Sequence, residues 1–173
     1  MLGNLRKGRV FTSGTLHDRI IDQLAVYIQK CGYEKFYFGH GVKASQVPAS
    51  IVHPIGRRNI SHEYYPDCWA QYRGKVDVYE VWDTETVTSA IEDIVLSALT
   101  TGIKYNTVIC TEQGIDVATA NKLCKLVLHF MKDANGKNLV CPDCWKVLKI
   151  PQGVWNDNKK IYRILSKDPW MQC

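Results

Sequence analysis

Apolar residues recur at helical spacing in three stretches of the chain, and between those stretches they alternate with polar ones or run together as strands do. Leu16, Ile20, Ile21, Leu24, Ala25 and Ile28 mark a first helix over residues 16–29, with Thr15 placed to cap it and Gly32 to stop it. Phe36, Tyr37 and Phe38 form a short aromatic run that reads as a strand. Residues 39–65 show no clean period and hold prolines, glycines and histidines, so they read as a long loop with one short strand at 49–52. Residues 67–72 and 75–82 flank Arg73 and Gly74 and read as an antiparallel hairpin, its second arm the strongest strand pattern in the chain.

Val87, Ile91, Ile94, Val95, Ala98 and Leu99 trace a second helix that stops before Gly102, with Ser89 and Glu92 at capping-box spacing. Residues 107–111 read as a buried strand. Asp116 is placed to cap a third helix carrying Leu123, Leu126, Val127, Phe130 and Met131, which ends before Gly136. The tail reads as two further strands, 147–150 and 161–165. Helix, strands, helix, strand, helix is the order of an α/β domain in which helices pack on a central mixed sheet.

At 173 residues and 46% hydrophobic, the chain fits one domain with one continuous core. It has no apolar run of about 18 residues, and its first residues lack the apolar stretch of a secretory signal, so a cytoplasmic protein is expected. Seven cysteines, an odd number scattered through apolar segments, read as reduced thiols rather than a disulfide framework. The net charge of +5 is unevenly placed. Arg6, Lys7 and Arg9 open the chain, Arg57 and Arg58 sit in the long loop, and Lys159, Lys160, Arg163 and Lys167 close it, a distribution that suits a polyanionic partner as well as it suits a solvated surface.

The chemistry concentrates in the hairpin. Side chains alternate across a strand, so Val76, Val78, Glu80 and Trp82 share one face, and Asp77, Tyr79 and Val81 the other. Glu80 is thus set among valines, where an ionised carboxylate is costly unless something such as a divalent cation offsets it. Asp67, thirteen residues earlier at the open end of the same hairpin, falls roughly opposite Glu80 and can supply a second carboxylate. Mg²⁺ commonly takes one or two carboxylates and fills its octahedron with water and phosphate oxygens.

Pro66-Asp67, a hairpin, and Glu80 near the end of an apolar strand resemble the signature of the PD-(D/E)xK nucleases, which include restriction endonucleases and archaeal Holliday-junction resolvases. The run Leu16-His17-Asp18-Arg19 resembles the family's first helix, with Asp18 at the position of its acidic residue, and the elements from Val87 to Met131 follow the family order. The similarity covers residues 14–132 and leaves 133–173 as a C-terminal extension of a single nuclease-like domain, 1–173. It implies a restriction-endonuclease-like three-layer α/β fold and an endonuclease that hydrolyses DNA phosphodiester bonds with Mg²⁺ or Mn²⁺. Asp67, Glu80 and the carbonyl of Val81 would hold the metal, Asp18 would assist, Arg6, Lys7, Arg57 and Arg58 would contact duplex or branched DNA, and a homodimer would pair two active sites.

One position departs from the pattern. The family places a lysine two residues after the glutamate, where this chain has Trp82, and an indole can neither activate water nor carry positive charge. Three readings stay open: the role has moved to another residue such as Lys75, a carboxylate such as Glu85 substitutes, or the domain has lost catalysis and keeps DNA binding or an assembly role. Trp69 is expected in the core, whereas Tyr72 and Trp82 are candidates to stack on bases. Glu92 and Asp93 read as charges on a helix surface. Cys141 and Cys144 form a CxxC pair with no second pair nearby, which reads as a turn with free thiols ahead of a structural zinc site. His40, His53 and His62 read as solvated loop histidines near the arginine pair.

Overall fold

The computed structural model describes residues 15–33, 35–38, 66–72, 75–99, 103–138 and 141–167. Five strands form one sheet in the order β1 (Lys35–Phe38), β2 (Cys68–Tyr72), β3 (Lys75–Trp82), β4 (Ile103–Cys110), β5 (Trp145–Lys149). The first three run antiparallel in sequence, and β3, β4 and β5 run parallel, so the sheet is mixed. Four helices, α1 (Leu16–Lys30), α2 (Val87–Leu99), α3 (Val117–Phe130) and α4 (Asn158–Ser166), cover its two faces.

Alternation along β3 and β4 divides the apolar residues between two cores. Tyr79, Val81 and Ile109 point to one face and pack with Ile20, Ile21, Leu24 and Ile28 of α1 and Ile161 and Leu165 of α4. Trp82 and Val108 point to the other and pack with Ala90, Ile94 and Ala98 of α2 and Ala120, Cys124 and Leu128 of α3. The molecule is therefore an α/β sandwich of three layers. No described helix is long and apolar enough to cross a membrane.

Most elements lie where the hydrophobic periods put them. Thr15 caps α1 by accepting from Asp18 N–H at 3.2 Å, and Gly32 ends it at φ +71°. Asp116 caps α3 by accepting from Thr119 N–H at 2.6 Å. The cap of α2 differs from expectation: Thr86 and Ser89 exchange reciprocal backbone-to-hydroxyl hydrogen bonds at 3.0 and 3.2 Å, one turn ahead of the Ser89–Glu92 pairing. Residues 161–165, expected as a strand, belong to α4. Asp157 caps that helix through Lys160 N–H at 3.1 Å, and Ile161 and Leu165, four apart, bury themselves on α1. With β5 beside β4, residues 133–173 thus contribute a strand and a helix to the fold instead of trailing from it.

The cysteines also depart in one place. Cys31 is disulfide-bonded, at the half-buried end of α1 and outside the apolar segments that favour reduced thiols. Cys68, Cys110 and Cys124 are buried thiols outside any disulfide. Cys141 is exposed and Cys144 half-buried, both thiols outside any disulfide, at a 3-10 turn closed by Cys144 N–H donating to the Cys141 carbonyl at 3.0 Å.

At the carboxyl ends of the parallel strands, the loops after β3 and β4 interlock. Asp83 Oδ1 accepts from Thr111 Oγ1 at 2.8 Å, and its carbonyl accepts from Gly114 N–H at 3.1 Å. Glu112 holds the left-handed conformation at φ 65°, fixed by accepting from Val117 N–H at 3.0 Å and by an ion pair with Lys149. Gly114 lies so close to the preceding loop that a Cβ there would meet Glu85 N and Thr84 C at 2.8 Å. Gly114→Ala is accordingly expected to cost about 1–3 kcal/mol through forced backbone movement, read by urea unfolding; an unchanged midpoint would show that the two loops are not locked together.

Candidate active site

β2 enters the sheet where β3 leaves it, so Asp67, just before β2, comes beside the end of β3. The Asp67 backbone N–H lies 3.4 Å from Glu80 Oε2, and Asp67 Oδ2 accepts from Val81 N–H at 2.8 Å. The two acidic residues expected to act together thus face each other one position beyond the last pair of the hairpin, Cys68 with Tyr79. They sit at the carboxyl ends of the parallel strands, the edge of an open α/β sheet where ligands commonly bind. Glu80 is only 6% exposed.

The first turn of α1 closes one side. His17 Nε2 lies 3.2 Å from Asp67 Oδ2, and its Nδ1 lies 3.6 Å from Asp18 Oδ1. Burial opposes the charge on His17, but hydrogen bonds and charge from Asp67, then Asp18, outweigh it and raise its pKa above 6.5. The imidazole thereby favours its protonated form between two carboxylates. Asp18 meets the site through His17, which lies between it and Asp67.

On the other side, Trp82 is 2% exposed, packed among the apolar residues of α2 and α3, and its indole N–H donates to Asp93 Oδ2 at 3.1 Å. This corrects the base-stacking role proposed for Trp82, which stands at the lysine position of the resemblance: a buried indole that holds a carboxylate is not exposed to stack on a base. Asp93, read as helix surface, is instead a member of the site. Burial, then the charges of Glu85 and Asp67, push its carboxyl up to about 7 against the pull of the Trp82 hydrogen bond. Glu85 meanwhile accepts from the Ser89 hydroxyl.

Lys75 is the first residue of β3, paired with Tyr72 of β2. Five residues of strand separate it from Glu80, about 16 Å at strand rise, so it cannot take the role of the absent lysine. Val81 enters by its N–H, donated to Asp67, whereas the expected ligand is its carbonyl. Trp69 is fully buried. Arg6, Lys7, Arg57, Arg58, the short strand at 49–52 and the histidines of the long loop lie outside the described residues.

These side chains fit a divalent cation in a limited way. Asp67 Oδ2 is engaged by Val81 and His17, while Oδ1 has no hydrogen bond among the described residues. Also among them, no three His, Cys, Asp or Glu side chains converge as a ready metal cage. Two adjacent carboxylates without a cage are what Mg²⁺ uses when water and phosphate complete its shell.

The raised Asp93 carboxyl has a consequence for the metal-free protein. Below about pH 4 the group is protonated folded or unfolded. As pH rises from there, the unfolded chain releases this proton first and the folded state loses stability, until Asp93 also ionises near 7. At roughly 1.4 kcal/mol per unit the shift corresponds to several kcal/mol, which partial solvent access reduces to about 1–3. Urea unfolding in chelator at pH 5 and pH 8 should show this loss, and Asp93→Asn should remove most of it. An equal loss in both proteins would place its origin elsewhere.

No protein-family model matches the chain, and no curated protein matches it in sequence. Among solved structures, it is similar to the small subunit of a heterodimeric restriction endonuclease, with 88% of each chain covered, 11% identity and a TM-score of 0.35.

Proposed function

We propose that this protein is a metal-dependent nuclease that hydrolyses DNA phosphodiester bonds, with Asp67 and Glu80 as its cation-binding carboxylates. The observation that carries the reading is their adjacency across the hairpin, Asp67 N–H to Glu80 Oε2 at 3.4 Å, at the sheet edge where three parallel strands end. Two acidic residues on facing positions of the hairpin, one of them in an apolar strand, bring together negative charge that a divalent cation would offset. A bound Mg²⁺ or Mn²⁺ would lower the pKa of a coordinated water and neutralise charge on the scissile phosphate.

The chain's own residues do the positioning. Val81 N–H and His17 hold Asp67 Oδ2 and leave its other oxygen without a hydrogen bond among the described residues. His17 stands 3.2 Å from Asp67 Oδ2, where no lysine follows Glu80. Trp82 fixes Asp93 at the edge of the carboxylate group. A duplex or branched substrate and a homodimer pairing two such sites belong to the same proposal.

A second reading has one observation in its favour: Trp82 fills the lysine position as a packed core residue bonded to Asp93, which suits a catalytically silent DNA-binding or assembly module. Labelled linear, circular and branched DNA, incubated with Mg²⁺ or Mn²⁺ and with the natural, Asp67→Ala and Glu80→Ala proteins, separates the two. Metal-dependent cutting lost in both variants is the expected result. Absence of cutting by the natural protein, with DNA binding unchanged by either substitution, would establish the silent module instead.

A further inference from the structure

Away from the carboxylates, α1 and α4 form a groove lined by Gln23, Val26 and Lys30 from α1 and Lys159, Tyr162 and Arg163 from α4. The lining follows helical spacing on both sides, so each helix presents one stripe to the groove while its apolar face goes to the core. Three of the six lining residues are cationic and none is acidic. The helix α4 itself contains Lys159, Lys160 and Arg163 and no acidic residue. Lys160 is the one of these that pairs, with Asp157 at 3.5 Å, and it does not line the groove. Among the described residues, Lys30, Lys159 and Arg163 make no ion pair.

Charge without a counter-charge could be no more than solvated surface, but two features shape it. The Lys30 ammonium lies 4.9 Å from the centre of the Tyr162 ring, so that cation is set over the groove wall instead of extended into water. The ring itself is braced edge-on by Tyr27, centroids 6.1 Å apart. A fixed aromatic wall between converging cations suits a chain of phosphates carrying planar bases better than it suits an isolated anion.

We propose that the groove between α1 and α4 binds the phosphate backbone of nucleic acid as a surface separate from the carboxylate site. The inference rests on the proposed function only in taking nucleic acid as the partner. Lys30 is thirteen residues along α1 from His17, about 20 Å at helical rise, so its substitution leaves the carboxylates intact.

The test compares the full chain with its Lys30→Gln/Lys159→Gln/Arg163→Gln variant, by fluorescence anisotropy of labelled single-stranded and duplex DNA over a range of salt. Affinity at 100 mM salt should fall about tenfold or more, and the slope of log affinity against log salt should drop by roughly 2 to 3, at about 0.9 per duplex phosphate contact. A Lys30→Arg/Lys159→Arg/Arg163→Lys variant should bind like the natural chain, and circular dichroism should show both variants folded. Unchanged affinity and slope in the glutamine variant would overturn the assignment, as would absence of DNA binding by the natural chain. Equal affinity for polyglutamate of matched charge would overturn it in favour of an acidic protein segment. Cutting that depends on Asp67 and Glu80, together with an unaffected glutamine variant, would sink this inference and leave the nuclease standing; binding lost in that variant, with no cutting by the natural chain, would do the reverse.

Discussion

Glu80→Gln is expected to abolish metal-dependent cutting while leaving the fold as stable as before or more so. Glutamine keeps the shape of the side chain and an oxygen that can face the Asp67 N–H, so the 3.4 Å contact and the end of the hairpin survive. It removes the negative charge, on which the proposed cation binding depends. Losing several kcal/mol of charge stabilisation in the transition state corresponds to a fall in rate of about 10²–10³-fold or more. In metal-free protein the same change relieves a buried carboxylate of its desolvation and of repulsion from nearby acids, so the urea midpoint should hold or rise. Initial cutting rates and unfolding curves on one preparation test both halves. A cutting rate within twofold of the natural protein would remove Glu80 from the chemistry, and a large loss of stability would make it a structural residue.

Trp82→Ala carries the largest expected effect on stability, about 3–5 kcal/mol. The indole is one of the largest fully buried side chains, set between the sheet and the layer of α2 and α3. Its removal opens a cavity and also strips Asp93 of its donor. Trp82→Phe separates the terms: most of the packing stays, the N–H goes, and a loss of about 1–2 kcal/mol is expected for the unmatched carboxylate. If the alanine variant unfolds within about 1 kcal/mol of the natural protein, Trp82 is not the keystone of that core. The phenylalanine variant also tests the proposed function: near-natural cutting would show that Trp82 serves packing and that any positive charge the reaction needs comes from elsewhere, with His17 the nearest candidate on Asp67.

Much of the architecture was legible because it follows from local rules. The period of Leu16, Ile20, Leu24 and Ile28, with a threonine cap, leads to α1. Alternation through Val76, Val78 and Glu80 after a tight turn leads to the hairpin, and the Asp116 cap leads to α3. Residues 161–165 misled because Ile161-Tyr162-Arg163-Ile164-Leu165 is short and rich in β-formers. The helix rests on the Asp157 cap and on Ile161 and Leu165 meeting α1, and only the second of these is tertiary. The cap was readable; the packing that rewards it was not.

The site divides along the same line. Asp67 and Glu80 could be paired from the sequence because a hairpin turns a distance along the chain into a position across it. His17 and Asp93 could not, since each reaches the site from a helix at an angle set by packing, His17 from the start of α1 and Asp93 from the middle of α2. The exclusion of Lys75 needed only strand direction and rise, and parity along β3 already argued against it. What became of Trp82 needed the whole second core. By itself, then, the sequence determined α1 and α3 with their caps, the position of α2, the hairpin and the placing of Asp67 opposite Glu80, all of which depend on neighbours a few residues apart or related by one turn. The tertiary structure alone decided which helix lies over which face, that His17 and Asp93 join the carboxylates, and that Lys30, Lys159 and Arg163 share a groove, because those juxtapositions come from side chains far apart in sequence packing on opposite faces of one sheet.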